Sequence, residues 1–298
     1  MSFSAQNTAV GFIGLGSMGA GMARCLMRQG FQVHFVARRP EVVSAFTAEG
    51  ATAHSTPASL GAACQVVVLS LPDAPAVEAV LFGNDGLANA LPAGSCIIDT
   101  STIAATSVTG IAEQLAEGGI AFLDAPVSGG QGGAEAGTLT CMVGGQAEQL
   151  ERCRPVLEAF CKSIIHVGGT GAGQTVKACN QVAVAGAMLG LADALALARA
   201  QGVDPAIMRD VLMGGSARSF PLEKHAPRII EQSFEPGFRA RLMRKDLRLA
   251  LDTAGASGAA LASTPVVEGL LDAMCNEGQG DLDWCAVTLR VGPATGSN

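Results

Sequence analysis

Val10-Gly11-Phe12-Ile13-Gly14-Leu15-Gly16-Ser17-Met18-Gly19 sets a glycine-rich turn between an apolar run and a stretch of helix formers. Gly14 permits a tight turn out of a first strand, Gly16 lets the backbone approach a pyrophosphate, and Gly19 allows helix and strand to pack closely, so that phosphates sit on a helix N-terminus with Leu15, Ser17 and Met18 beside them. The Gly14-x-Gly16-x-x-Gly19 spacing alone is a weak signal. Its setting strengthens it: Ala9 to Ile13 is apolar and strand-like, Met18 to Arg28 is helix-compatible, and Gly30 follows as a stop. The stretch reads as a dinucleotide clamp.

With 298 residues the chain is expected to form two domains, since single cores seldom grow much beyond about 250 residues. A hydrophobic share of 49% against 15% charged residues implies extensive burial and a subunit interface. The formal net charge of -7 argues against nucleic acid or a membrane surface as partner. Nine cysteines without a CxxC pair or a nearby histidine cluster read as small core hydrophobes in a reducing compartment, and no metal is expected. MSFSAQNTAV has neither a basic start nor an apolar core of signal-peptide length, which makes the cytoplasm the default. Ala178 to Ala192, interrupted by Asn180 and Gln181, reads as a buried core helix with too few apolar residues to cross a bilayer. Tyrosine is absent, which excludes short-chain dehydrogenases that use it as catalytic acid.

Apolar runs at Gln32 to Ala37, Gln65 to Leu69, Ser95 to Asp99, Ile120 to Asp124, Leu139 to Val143 and Ser163 to Val167 alternate with helical segments near 41–49, 57–63, 75–82, 104–117 and 147–159. Hydrophobicity that is continuous rather than alternating means both sheet faces are covered. After Gly168 to Gly173 the strand-like runs all but vanish, and helices are expected over 174–201, 204–213, 219–232, 239–256 and 264–277, with Pro293 to Asn298 disordered. The fold class is therefore α/β: a Rossmann-type, doubly wound, mostly parallel sheet over residues 1–170, joined by a long helix to an all-helical domain over 171–298. No internal repeat or low-complexity segment is evident.

At the end of the second strand, where a carboxylate would grip the ribose 2′-hydroxyl of NAD, the chain reads Ala37-Arg38-Arg39-Pro40. The Arg38 guanidinium can bind a 2′-phosphate bidentately, with Arg39 beside it, so NADP(H) is preferred and NAD(H) remains open; two solvated loop arginines are the other account. Leu71-Pro72 and Thr102 follow strands at the ligand-binding edge, where ordinary helix caps are also common. Lys177, Asn180 and Gln181 share a helix face at three- and four-residue spacing. That patch is either a solvated first turn or, if buried, a proton-transfer group, because a desolvated lysine near other cations titrates closer to neutrality.

Four stretches together resemble the β-hydroxyacid dehydrogenases: GFIGLGSMGAGMA at 11–23, DAPVSGGQGGAEAGTLTCMVGG at 124–145, GAGQTVKACNQ at 171–181 and KDLRLAL at 245–251. The likeness covers nearly the whole chain. It implies that Lys177 is the catalytic acid and base, that Ser128, Gly129 and Gly130 bind a substrate carboxylate, and that Thr102 lies beside cofactor or substrate. It also places Phe238, Lys245 and Asp246 near them. Asn180 and Gln181 are expected to orient the substrate, and the Asn-Gln pair resembles the tartronate semialdehyde reductase branch. Of the basic cluster Arg239, Arg241, Arg244, Lys245 and Arg248, a solvated helix face accounts for all but Lys245. Asp281 or Asp283 is expected to cap a helix turn, and none of the four histidines suits a catalytic base.

The expected activity is NADP(H)-dependent reduction of a small 3-oxo carboxylic acid, tartronate semialdehyde first, by an enzyme that is a homodimer or homotetramer. The alternatives are a 3-hydroxyisobutyrate or other 3-hydroxyacid dehydrogenase and a glyoxylate or succinic semialdehyde reductase. Lys177 speaks against an imine reductase, which usually has Asp or Tyr there, and, with Ser128 to Gly130, against a catalytically silent cofactor-binding scaffold.

Overall fold

The computed structural model describes residues 2–292, so the expectation for Pro293 to Asn298 lies outside the described residues. The chain packs into two compact units, Met1–Lys177 and Ala178–Asn298.

The first unit is a nine-stranded sheet: β1 (Ala9–Ile13), β2 (Gln32–Val36), β3 (Thr52–Ala53), β4 (Val66–Leu69), β5 (Cys96–Asp99), β6 (Ala121–Asp124), β7 (Val127–Ser128), β8 (Leu139–Gly144) and β9 (Cys161–Gly168). The order is β3-β2-β1-β4-β5-β6-β8-β7, with β9 also on β8. Pairing is parallel from β3 through β6, antiparallel from β8 to β6 and β7, and parallel between β8 and β9. Alternate residues of one strand enter different layers. Val66 and Val68 join Phe12, Met22 and Leu26 on one face, while Val67 and Leu69 join Leu60, Leu81 and Ile97 on the other. This is why the central strands read as unbroken apolar runs. The rule fails at β9, whose Ile165 is half exposed. All cysteines except Cys179 and Cys275 are buried.

The helices are α1 (Ser17–Arg28), α2 (Pro40–Ala48), α3 (Pro57–Gly61), α4 (Ala74–Phe82), α5 (Ala105–Glu117), α6 (Gly130–Ala136), α7 (Ala147–Glu158), α8 (Ala172–Ala200), α9 (Pro205–Met213), α10 (Ala226–Ile230), α11 (Ala240–Ser257) and α12 (Thr264–Asn276). Three elements of the first unit escape the sequence pattern. β3 and β7 are only two residues long, and α6 (Gly130–Ala136) forms in GQGGAEA, a composition that favours turns. Packing overrides propensity there. Helix α1 (Ser17–Arg28) lies so close to α6 that a Cβ on Gly21 would come within 2.9 Å of the Ala134 and Glu135 backbone.

Helix α8 (Ala172–Ala200) starts in the first unit and continues into the second. Its Ala185, Met188, Leu191 and Leu195 form a core with α10 (Ala226–Ile230), α11 (Ala240–Ser257), α12 (Thr264–Asn276) and the buried Trp284. The expectation for Ala178 to Ala192 needs correction on both counts. By length and composition α8 is long and apolar enough to cross a membrane, and only 39% of its most apolar window is buried. Cys179, Ala183, Gly190 and Leu197 are exposed, so the helix buries one stripe rather than its whole girth. The single helix expected over 219–232 is instead a π turn at Pro221–His225 followed by α10, the change falling next to Pro227, which has no N–H to continue the pattern. Of the two candidate caps it is Asp283 that accepts the Cys285 N–H at 3.1 Å and starts a short 3₁₀ helix, Trp284–Arg290.

Candidate active site

The strand order reverses between β1 and β4, and the Gly14–Gly19 turn leaves β1 at that switch point. Gly14 has φ +105°, and a Cβ there would lie 2.1 Å from the Ser70 carbonyl oxygen. A Cβ on Gly19 would lie 1.9 Å from the Gly14 oxygen. At Gly16, by contrast, a Cβ would meet nothing within 4 Å. Helix α1 begins here without a side-chain cap and without an acidic residue in its first turn. Its first N–H groups and open approach fit a pyrophosphate.

Beside the turn an open hollow is lined by Gly16, Ser17, Arg24, Arg39 and Glu41. Arg39 lines it, 3.4 Å from the Leu15 carbonyl and 3.9 Å from Glu41; Arg38 does not line it, and both arginines are exposed. Arg24 is already held bidentately by Glu49 at 2.7 and 2.8 Å and lies over the Phe46 ring. On the neighbouring strand end, Leu71 N–H donates to Ser101 Oγ at 2.9 Å, which ties the Leu71-Pro72 loop to the one carrying Thr102.

Lys177, in the second turn of α8, is 7% exposed, and its Nζ donates to the Val127 carbonyl at 2.9 Å. Of the two accounts of that patch, the lysine therefore follows the buried one. Ser128 comes next, and Gly129 (φ +139°) and Gly130 (φ +66°) then turn the backbone into α6. Both angles favour glycine, and a glycine turn beside a hydroxyl is a backbone type that can receive a carboxylate. Two buried polar residues, Asp124 at the end of β6 and Gln174 in the first turn of α8, join the sequence candidates here. Burial pushes the Asp124 carboxyl above its ordinary value, while N–H donations from Gly171, Gln174 and Gly173 pull the other way.

In the second unit a polar chain through the buried Gln181 and Asp246 joins the half-buried Asn180 and Lys245. Asn180 Nδ2 donates to Gln181 Oε1 at 2.8 Å, Gln181 Nε2 donates to Asp246 Oδ2 at 2.7 Å, and Lys245 Nζ lies 3.1 Å from Asp246 Oδ1. Gln181 Nε2 is also 3.6 Å from Met243 Sδ, so both of its hydrogens have an acceptor. The other basic residues of α11 and the Arg239 that precedes it are engaged by carboxylates: Arg239 and Arg241 by Asp281, Arg244 by Asp272, and Arg248 by Glu268 and Asp272. Phe238 is set by the buried Asp283, whose Oδ2 accepts the Gly237 and Phe238 N–H groups. Asp283 also stands with His225 and Cys285 in a group of metal-ligand type, but the Arg228 guanidinium pairs with its Oδ2 at 3.1 Å and disfavours a second cation. His166 lies on β9 with Nε2 2.8 Å from the Gly145 carbonyl oxygen.

A glycine turn at the switch point of a doubly wound sheet and a buried lysine beside an anion-suited turn define the class of nicotinamide-dependent oxidoreductases. Residues 9–168 match the family described as the NAD binding domain of 6-phosphogluconate dehydrogenase, and residues 171–290 that described as NAD-binding of NADP-dependent 3-hydroxyisobutyrate dehydrogenase. The chain is 41% identical over 282 residues to the 2-hydroxy-3-oxopropionate reductase of Escherichia coli (strain K12), covering 95% of this chain and 96% of that one. It is 40% identical over 266 residues to a 3-hydroxyisobutyrate dehydrogenase of Pseudomonas aeruginosa, covering 87% and 88%. Among solved structures, the 3-hydroxyisobutyrate dehydrogenase of Salmonella typhimurium superposes with a TM-score of 0.86 at 32% identity, over 95% of this chain and all of that one. The chain belongs to the β-hydroxyacid dehydrogenases, NAD(P)-dependent oxidoreductases acting on hydroxyl groups.

Proposed function

We propose that this chain interconverts a small 3-oxo carboxylic acid and the corresponding hydroxy acid with NADP(H), tartronate semialdehyde being the leading substrate. The observation that carries this reading is the Lys177 amine, buried and hydrogen-bonded to the Val127 carbonyl one residue before Ser128. The nicotinamide, when bound, supplies hydride to the aldehyde carbon in reduction and takes it back in oxidation. Lys177 Nζ donates a proton to the substrate carbonyl oxygen as that oxygen gains charge, and accepts it from the hydroxyl in the reverse direction. The Val127 carbonyl holds the amine one residue before Ser128. The Ser128 hydroxyl and the Gly129 and Gly130 N–H groups bind the substrate carboxylate without a full positive charge, which leaves the lysine to the proton. Thr102 is assigned beside cofactor or substrate, and Lys245 beside the cofactor. Asn180, Gln181, Phe238 and Asp246 are assigned to orienting the substrate.

Two features support NADP(H) over NAD(H): the absence of a carboxylate from Ala37-Arg38-Arg39, and Arg39 lining the hollow beside Gly16 and Ser17. The 41% identity with a 2-hydroxy-3-oxopropionate reductase puts tartronate semialdehyde first, and the 40% identity with a 3-hydroxyisobutyrate dehydrogenase keeps that acid as the second reading. Initial rates with NADPH and NADH against short semialdehydes and 3-hydroxy acids decide between them. Lys177→Ala is expected to lower kcat by about a hundred- to ten-thousand-fold with NADPH binding intact, and near-normal turnover would sink the assignment.

A further inference from the structure

A continuous series of hydrogen bonds links the segments that carry the proposed site. Gly171 N–H donates to Asp124 Oδ1 at 2.9 Å and Gln174 N–H to Asp124 Oδ2 at 3.0 Å, so one carboxylate ties the start of α8 to the end of β6. Gln174 then continues the series with its side chain, Nε2 donating to the Ser101 carbonyl at 2.8 Å and Oε1 accepting the Ile103 N–H at 3.2 Å. Ser101 and Ile103 flank Thr102. Ser101 Oγ in turn accepts the Leu71 N–H. Asp124 is fully buried and Gln174 is 3% exposed.

The chemistry at each position admits few substitutes. Asp124 accepts backbone N–H groups on both of its carboxylate oxygens, so an asparagine would set an N–H against one of them. Gln174 must donate at one end and accept at the other, which an amide of that length does and a carboxylate does not. The packing leaves no slack: a Cβ on Gly173 would come within 2.5 Å of the Asp124 and Met142 carbonyl oxygens, and one on Gly144 within 2.4 Å of Asp124 Oδ1. What these bonds fix is the origin of a long, flexible side chain. Lys177 lies three residues after Gln174 on the same helix, and Ser128 four residues after Asp124.

We infer that Asp124 and Gln174 are positioning residues that set the Lys177 amine against the Ser128 turn and the Thr102 loop. This rests on the reading of Lys177 as the proton donor. A cap that merely stabilised α8 would affect melting and leave turnover of the folded enzyme alone. A positioning role makes kcat suffer, because a small misplacement of a reacting group costs far more rate than binding.

The test compares Gln174→Met, Asp124→Asn and Lys177→Ala with the parent chain, measuring kcat, KM, the NADPH Kd by fluorescence titration, and melting, with rates taken well below the melting temperature. Gln174→Met keeps the volume and loses both side-chain bonds. It is expected to lower kcat at least about tenfold with the NADPH Kd within about threefold, and Asp124→Asn to lower it further. Should Asp124→Asn fail to fold, Gln174→Met decides. A folded Gln174→Met enzyme with kcat within about threefold of the parent, or one that loses only cofactor affinity, overturns the inference. Lys177→Ala separates the two levels: if it is inactive while Gln174→Met is normal, the positioning role alone falls, and if it is active, the lysine reading falls and takes the positioning role with it.

Discussion

Three glycines of one turn make different demands at the residue scale. Gly14 and Gly19 are fixed by contact, since a Cβ on either would sit about 2 Å from a carbonyl oxygen, at 2.1 and 1.9 Å. Alanine at either position forces a backbone shift and is expected to cost about 1–3 kcal/mol or more, read from denaturant melts of the apoenzyme. Gly16 faces open space and has φ −81°, which any residue adopts. Gly16→Val is therefore expected to leave stability within about 0.5 kcal/mol while weakening NADPH binding at least tenfold, because the added methyls occupy the path of the pyrophosphate. An unchanged Kd would show that the turn does not hold the cofactor. The two arginines at the end of β2 are tested the same way. Replacing Arg38 and Arg39 with Ser is expected to raise the NADPH KM by about ten- to a hundred-fold, the worth of a charge-assisted hydrogen bond, with the NADH KM little moved.

At the scale of elements, α8 separates what composition can tell from what packing decides. Leu195 is 1% exposed in the second core and Leu197, two residues on, is 66% exposed. Leu195→Ala is expected to destabilise by about 2–5 kcal/mol, while Leu197→Ala stays within about 0.5 kcal/mol, as chemical denaturation of the apoenzyme would register. The run ACNQVAVAGAMLGLA is apolar apart from Asn180 and Gln181, yet only one stripe of the helix is buried. Length and repetition govern how legible the other elements were. The strand-turn-helix at residues 9–28 and the parallel strands announce themselves, since each repeats one pattern over several residues. β3 and β7 are too short to carry a period, and α6 forms in a glycine-rich run because α1 packs on it. The proposed site divides along the same line. Lys177 and Ser128 to Gly130 stand in recognisable motifs, whereas Asp124 and Gln174 earn their importance from backbone atoms 47 to 73 residues away in sequence. No local pattern registers such pairings.

For the molecule as a whole, each unit carries a histidine held neutral by its surroundings. In the first, His34 on β2 shares a 2.8 Å hydrogen bond with His54, and burial followed by the His54 charge lowers it below the ordinary value of 6.5. In the second, His225 packs edge-on against Phe220 and Trp284, and burial lowers it despite the nearby Asp283 carboxylate. A base whose folded value lies below its unfolded one binds fewer protons when native, so the unfolded chain gains protons first as the pH falls. The stability these residues contribute is whole above about pH 6.5 and is lost as the pH falls through their folded values. Melting of the apoenzyme should therefore decline from about pH 7.5 to about pH 5.5, one histidine acting in each unit. His34→Gln keeps a hydrogen-bonding group and removes the titration. The melting temperature of this variant minus that of the parent should rise steadily as the pH falls, and His225→Gln should behave likewise, whatever either substitution costs at neutral pH. A difference that stays constant across the range would show that neither histidine resists its proton in the native state.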